Sequence, residues 1–226
     1  MKSQNPVLTK MCKALKSYLS NPKNLTSFDN NYRQGPSLYF YQKLLKKRQN
    51  KNIETFMNDD RNIELIYATL TAWDMNCRGA KLKPFEEFKG NIKSNILKFI
   101  ELEKHLNKGN EEDILKTLQE IYKSTQLLDN QSKLVSNAKF FHFLFPSFLM
   151  PVDKRHTLQY IYNNSVESWN KYKNIIRASW KCINDNELWK NYNSPNETTI
   201  WNTTRAKMVD NAIIWKKNLA RKNYQN

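Results

Sequence analysis

"KFFHFLFPSFLMPVDKRHTLQYIY", residues 139–162, joins an apolar run to four consecutive polar residues through two prolines. The apolar run predicts a buried helix over residues 132–145. The segment 146–152 holds both prolines, which disfavour helix and predict extended backbone. Asp153 follows at a position suited to a helix N-cap, and apolar spacing then resumes to about Tyr162. The stretch therefore predicts helix, extended segment and capped helix in sequence.

Helical signals also fill the rest of the chain. Apolar residues recur every three or four positions, and only four glycines and seven singly placed prolines are present, so the chain lacks material for many tight hairpin turns. Residues 20–35 predict a loop. Helices are predicted over 6–19, 38–48, 59–75, 84–109, from 110 onward, 132–145, 153–162 and 169–180, in a short piece at 188–189, and from about 204. The fold class is all-α, a compact bundle of about eight or nine helices.

The chain length bounds the domain organisation. A chain of 226 residues can bury a substantial core in one large domain or in two small ones. No internal repeat, low-complexity tract or convincing linker divides it. We predict one basic helical domain over residues 1–226, with two lobes at about 1–109 and 110–226 as the alternative.

The charge balance points to a polyanionic partner. The chain has 37 lysines and arginines against 21 aspartates and glutamates, a formal charge of +16, spread along its whole length. Lysine chosen only as solvated surface would usually bring compensating glutamate. The basic residues are not gathered on one strongly apolar helix face, so nucleic acid is favoured over a membrane surface. We expect double-stranded DNA as the partner, with RNA as an alternative.

Several other classes of protein are disfavoured. The chain begins without the apolar core of a signal peptide and has no apolar run near the roughly 20 residues of a membrane span, so we expect an intracellular protein, cytoplasmic or nucleoid-associated. Histidines are isolated and glycine-rich phosphate loops are absent, so we expect no metal and no cofactor. The cysteines are far apart and are interpreted as core thiols; they are Cys12, Cys77 and Cys182.

Lys139 and Asp153 are the candidate catalytic residues. Lys139 precedes a cluster of phenylalanines that can strip water from its ammonium group and lower its pKa. An amine of that kind can form a Schiff base with a carbon electrophile. A carboxylate at Asp153 can stay ionised because it can accept hydrogen bonds from backbone N–H groups. It can then stabilise positive charge that develops during a reaction. The structural alternatives are a lysine that reaches solvent and an aspartate that only caps a helix.

The order of these features resembles the helix-hairpin-helix DNA glycosylases of the endonuclease III type. In that family a hairpin leads into a helix with a Schiff-base lysine, and an aspartate caps a helix after an extended segment. "LVSNAKFFHFLF" and "PVDKRHTLQYIY" are similar to those two parts, within residues 134–162. The resemblance implies base-excision DNA repair, with Lys139 attacking the sugar carbon and Asp153 stabilising charge or activating the nucleophile.

The same resemblance assigns contacts with the DNA backbone. The family's hairpin carries two glycines, where this chain has Ser136-Asn137-Ala138, and Asn137 is the residue there that best tolerates a left-handed conformation. His156 would lie near the backbone, with Lys154 and Arg155 beside it. No iron–sulfur cysteines follow.

Two further basic clusters are candidates for phosphate contacts. Arg78 and Lys81 lie in an irregular connection after Trp73, which itself is expected to be in the core. Lys217 and Arg221 lie near the end of the last helix, where they can grip a phosphate backbone or simply be solvated.

The sequence thus predicts a nucleic-acid-binding protein, with a diverged DNA glycosylase or abasic-site lyase as the specific hypothesis. A non-catalytic DNA- or RNA-binding protein is the first alternative. A helical domain that binds an acidic protein is the second. Base or lesion specificity and oligomeric state are left open.

Overall fold

The computed structural model describes residues 5–32, 34–75, 81–130, 132–190, 192 and 200–222. Within those ranges the chain is helical, with thirteen α-helices and no strand, so the predicted all-α class is confirmed and the count of eight or nine is wrong. None of the helices in this part of the chain has the length and apolar character needed to cross a membrane.

Local capping explains where many of the helices begin. Seven of them start after an Asn, Asp or Ser whose side chain accepts a backbone N–H from the first turn. The α-helices are α1 (Pro6–Leu19), α2 (Pro22–Asn31), α3 (Pro36–Arg48), α4 (Ile53–Met57), α5 (Asp60–Leu70), α6 (Phe85–Lys93), α7 (Ile96–Lys108), α8 (Glu111–Ser124), α9 (Leu134–Leu144), α10 (Gln159–Tyr162), α11 (Trp169–Asn184), α12 (Asn186–Trp189) and α13 (Arg205–Lys222).

Two π-helical segments extend this set. Thr71–Met75 continues α5, and Lys154–Leu158 leads into α10.

The helix count differs from the prediction because of caps and breaks that the apolar spacing hides. Asn21 and the proline after it start α2 inside the predicted loop. Asn52 caps the short α4. The predicted helix over 84–109 is two helices, since Asn95 leaves helical geometry (φ −110°, ψ 4°) and its side chain donates to the Asn91 carbonyl at 2.9 Å.

The described helices group into two units. Unit 1 comprises residues 1–32 and 146–226, and unit 2 comprises residues 33–145. The chain passes from one unit to the other after Tyr32 and after Phe145. Gly109 joins two helices of unit 2, α7 and α8, which pack against each other.

Unit 1 is built around α1, which packs against both α11 and α13. Its largest fully buried side chains are Tyr18, Tyr172 and Trp201. The Tyr18 hydroxyl donates to Asn202 Oδ1 at 3.0 Å. This buried hydrogen bond connects α1 to the segment just before α13.

Unit 2 is built around α9, which contacts both α3 and α5. Every residue of α9 is buried, which confirms the predicted buried helix. Phenylalanines from α4, α6, α7 and α9 fill this core. Four of the eleven residues of α9 are nevertheless polar and buried: Ser136, Asn137, Lys139 and His142.

The end of α5 is the irregular feature of unit 2 that matters most for its site. The predicted helix over 59–75 keeps its α-helical form only to Leu70, and the following π-helical segment contains Asp74 at a positive φ of 63°. Trp73 also leaves helical geometry (φ −91°, ψ 29°). The chain thus leaves helical geometry at Trp73. The carbonyl oxygen of Trp73 can therefore accept a hydrogen bond from a side chain.

Candidate functional site

The outward face of α3 combines an aromatic ring with lysines. Tyr39, Lys43, Lys46 and Lys47 follow one another at intervals of four, three and one residues, which places them on one side of the helix. Each of these four side chains is exposed. Tyr41, the neighbour of this set on the other side of the helix, has no exposed surface. The sequence of α3 therefore separates an apolar inner face from a cationic outer face.

Hydrogen bonds fix α3 at its start. The Ser37 hydroxyl donates to the Ala72 carbonyl at 3.0 Å, and Trp73 Nε1 donates to the Ser37 carbonyl at 3.1 Å. One turn later the Tyr41 hydroxyl and His142 Nε2 are 2.7 Å apart. These contacts orient the inner face of α3, and hence its outer face.

The other end of α3 is held by Arg48. Its Nε donates to the Leu144 carbonyl at 2.8 Å, and its guanidinium pairs with Glu103 at 2.5 Å. The Glu103 carboxylate also accepts the backbone N–H of Ile53 at 3.0 Å. A rigid helix held at both ends is a suitable platform for a binding surface.

A groove of about 570 Å³ runs along the outer face of this helix. We call it the α3 groove, and it is lined by Tyr39, Gln42, Lys43, Lys46, Lys47 and Lys51. The Tyr39 ring is 59% exposed, and the Lys43 ammonium lies 5.7 Å from its centroid. A flat aromatic surface and a cation are thus presented side by side.

The lysines of the α3 groove are not neutralised within the described part of the chain. Lys43, Lys46 and Lys47 form no ion pair with any carboxylate there. Asp59 is within electrostatic range of Lys47, but its main partner is the Arg61 side chain at 3.0 Å, which holds the pKa of that carboxyl below its usual range. The groove therefore presents uncompensated positive charge to solvent.

Lys139 lies inside unit 2. Only 7% of its surface is exposed, and its Nζ donates to the Trp73 carbonyl at 2.9 Å. The ammonium is also 5.9 Å from the Trp73 ring centroid. This ring packs against Tyr41 and Phe143, but Trp73 is half-buried and not fully in the core as predicted. The carbonyl freed where α5 ends is thus what allows a lysine amine to lie in an aromatic interior.

Asp153 is the N-cap of the helical turn that follows it, as predicted. Its Oδ1 accepts the backbone N–H groups of Arg155 at 2.8 Å and His156 at 2.9 Å. Its own N–H donates to the Thr157 hydroxyl at 3.1 Å, which closes the cap reciprocally. The capping role of Asp153 is therefore confirmed, and its catalytic role stays a prediction.

The candidate catalytic residues belong to different units. Lys139 is on α9 of unit 2, and Asp153 precedes α10 in unit 1. The fold of each unit alone therefore does not place Lys139 next to Asp153. The three basic residues after Asp153 begin the π-helical segment, where Lys154 and Arg155 are exposed and Lys154 pairs with Glu167 at 3.6 Å. His156 is half-buried.

The remaining predicted phosphate contacts are placed as follows. Lys81 is exposed, and its ammonium is 3.9 Å from the Asp129 carboxylate, which is a weak surface pair. Lys217 is on α13 and is partly exposed. Arg78 lies outside the described residues, and so does the side chain of Arg221.

Asn137 does not occupy a hairpin. Residues 136–138 are in α9, and Asn137 has no exposed surface. Its Nδ2 faces the carbonyls of Thr125 at 3.3 Å and Tyr122 at 3.5 Å, so the side chain joins α9 to the end of α8. Without glycine this segment continues as helix, and the expected phosphate contact at Asn137 is not supported by its position.

The buried position of Asn137 predicts that its side chain contributes to stability and not to DNA binding. We expect Asn137→Ala to lower the free energy of unfolding by about 1–3 kcal/mol, because two buried carbonyls lose their donor and a small cavity opens. Urea unfolding would measure this loss. The folded variant should bind DNA as the wild type does, and a selective loss of binding at unchanged stability would restore the phosphate role.

Two clusters were not singled out from the sequence. One is the set of lysines near the end of α3, which suit the negative end of the helix dipole and also share one helix face with Tyr39. The other cluster is a buried pair on α13, where Lys207 Nζ lies 2.8 Å from Asp210 Oδ2. The i, i+3 spacing of this pair is common on exposed helices, so nothing local marked it as buried.

Comparison with known proteins adds no relative. No family model matches the chain, and neither the curated proteins nor the solved structures contain a significant match. The function of this chain is therefore inferred from its own geometry.

Proposed function

We propose that the protein binds single-stranded nucleic acid, DNA in the first instance, through the α3 groove. The observation that carries this proposal is the exposed Tyr39 ring beside four lysines in a groove of about 570 Å³. Lysines attract the phosphate backbone without regard to sequence, and an aromatic face stacks a base. The overall charge of +16 supports the same class of partner.

The exposed ring favours a single strand over the duplex. In a duplex, both faces of every internal base are covered by its neighbours, whereas unpaired bases are free to stack on protein rings. Tyr39 can provide such a surface because it projects from the outer face of α3, and Lys43 keeps a cation beside the ring. Duplex DNA can still use the lysines, but without the stacking contact.

A fluorescence anisotropy titration tests this proposal. We expect a labelled single-stranded oligonucleotide to bind more tightly than the matched duplex, and log K to fall with log[salt] at a slope of about −2 to −3 for three or four phosphates. Tyr39→Leu should reduce the preference for the single strand while keeping most of the salt slope. Absence of salt-dependent binding to DNA and RNA alike would favour an acidic protein partner instead.

A second candidate function is abasic-site lyase or glycosylase chemistry at Lys139. The observation that favours it is the lysine amine held in an aromatic interior, hydrogen-bonded to the Trp73 carbonyl. Such an amine can attack the aldehyde carbon of an opened sugar and lose water to give a Schiff base. This requires the Lys139 amine to exchange its hydrogen bond with the Trp73 carbonyl for a contact with substrate.

Borohydride trapping tests the second candidate. We expect wild-type protein to form a covalent adduct on DNA with an abasic site, and Lys139→Arg, which keeps the charge, to form none while it still folds and binds. An adduct that survives in Lys139→Arg would assign the chemistry to another amine, and no wild-type adduct with intact binding would leave a non-catalytic binder.

A further inference from the structure

Two cysteines of unit 1 meet where α1 packs against α11. Cys12 Sγ and Cys182 Sγ are 3.1 Å apart, although 170 positions separate them in the chain. Both are free thiols. Cys182 has no exposed surface, whereas Cys12 is partly exposed. The pair therefore has one sulfur within reach of a solvent-borne reagent and one sulfur behind it.

The surroundings of the pair distinguish the two sulfurs. A hydrogen bond from the Cys182 thiol, with help from the Lys16 ammonium, lowers the pKa of Cys12 to about 7, although burial and Asp185 oppose this. Donation to Cys12 and burial raise the pKa of Cys182. At neutral pH, Cys12 thus has substantial thiolate character and Cys182 keeps its proton. Thiolates are the attacking species in exchange reactions with disulfides.

We propose that Cys12 and Cys182 form a reversible disulfide by exchange with a small-molecule disulfide, with Cys12 as the attacking cysteine and Cys182 as the resolving one. The alternative is a pair of thiols that only fill space between two helices. The contact distance, the unequal exposure of the two sulfurs and their position on two packed helices all favour the redox pair.

The exchange balances in two steps. The Cys12 thiolate attacks one sulfur of the small disulfide RSSR, which breaks the S–S bond, forms Cys12–S–S–R and releases RS⁻. The Cys182 sulfur then attacks Cys12 Sγ, forms the Cys12–Cys182 bond and expels the second R–S group, which takes the Cys182 proton and leaves as RSH. The two protein sulfurs are oxidised by two electrons, and RSSR is reduced to two thiols.

The disulfide would tie the start of the chain to α11. Closing so long a loop restricts the unfolded chain, and we expect the melting temperature to rise by about 10 °C on oxidation.

The experiment uses the full chain with Cys77→Ser, so that the third cysteine cannot take part. The protein is equilibrated in buffers of reduced and oxidised glutathione, quenched with acid, and analysed by intact mass. We expect a loss of about 2 Da with increasing oxidant and complete reversal by reductant. Thermal unfolding of the two forms measures the predicted stabilisation.

Two single variants in the same background distinguish the roles of the sulfurs. Cys182→Ser should stop at the mixed disulfide between Cys12 and glutathione, and Cys12→Ser should react far more slowly because the buried thiol remains. No loss of about 2 Da in fully oxidising buffer, with thermal unfolding showing a folded protein, would overturn the proposal. Equal reactivity of the two variants would overturn the assigned order of attack.

The pH dependence of alkylation adds an independent check. We expect the alkylation rate of Cys12 to rise with a midpoint near pH 7, as its pKa of about 7 implies. In Cys182→Ala the hydrogen bond to Cys12 is lost, so the midpoint should move to higher pH. An unchanged midpoint in that variant would contradict the dependence of Cys12 on Cys182.

Discussion

Alanine at Lys43, Lys46 and Lys47 together is expected to weaken binding of single-stranded DNA by about 100-fold at moderate salt. All three lysines line the α3 groove and lack ion-pair partners among the described residues, so each ammonium is available to a phosphate. Losing them should also make the plot of log K against log[salt] shallower by about 2 units. Fluorescence anisotropy over a series of salt concentrations measures both quantities.

A matched triple variant controls for net charge. Lys108, Lys116 and Lys123 are exposed lysines of α7 and α8 that do not line the groove. Their replacement by alanine also removes three positive charges from unit 2, and we expect it to weaken binding by less than about 5-fold. Equal losses in the two triple variants would show that binding depends on total charge and not on the α3 groove.

The largest effect on stability is expected at the buried ion pair of α13. Lys207→Met should lower the free energy of unfolding by about 3–5 kcal/mol, because it leaves Asp210 as an uncompensated charge in the interior. The two side chains are only 2% and 6% exposed. Lys207 Nζ also donates to Asn211 Oδ1, and that acceptor loses its partner too. Urea unfolding measures the loss.

The pH dependence of this loss follows from Asp210. Burial raises the pKa of its carboxyl, against the opposing effect of Lys207. A raised carboxyl pKa means that the folded state favours the proton, so stability falls as pH rises through that value. Without Lys207 the pKa should rise further, and the penalty of Lys207→Met should shrink as the pH is lowered and Asp210 becomes neutral.

A double variant separates the buried charge from simple loss of packing. Lys207→Met with Asp210→Leu removes both charges, and we expect it to recover most of the stability lost in the single variant. If the double variant is as unstable as the sum of its single variants, the two residues do not act as a pair.

The best sequence predictions concerned features whose causes are local. The buried helix α9 was predicted from its cluster of phenylalanines and leucines, and the cap at Asp153 from a carboxylate placed just before a helical segment. The break at Asn95 was missed because apolar spacing continues across it. The repeated Asn-Pro signal before α2 was present in the sequence, but abundant polar residues around it favoured a loop.

The contacts of Lys139 and of the cysteine pair were harder to predict because the residues that meet are distant in sequence. Lys139 meets the Trp73 carbonyl across 66 positions, through a backbone turn with a positive φ at Asp74 that no apolar pattern signals. Cys12 and Cys182 were interpreted as core thiols. Cys182 is buried, Cys12 is partly exposed, and Cys77 lies outside the described residues. Only packing reveals that two of them touch.

The lysines of α3 show the same limit at shorter range. Their clustering was visible, yet helix-end lysines commonly complement the dipole. What distinguishes them is the fixed orientation of α3 through Tyr41 and Arg48, which directs the lysines and Tyr39 outward into one groove.

Photo-cross-linking of wild-type protein to a single-stranded oligonucleotide containing 4-thiothymidine, followed by peptide mapping, locates the nucleic-acid interface. If the α3 groove is the interface, the main adduct lies within residues 36–51, with Tyr39 or its immediate neighbours modified, and it disappears in the Lys43, Lys46 and Lys47 triple variant. Adducts found only in other segments, with residues 36–51 unmodified, would contradict the assignment of the α3 groove as the nucleic-acid interface.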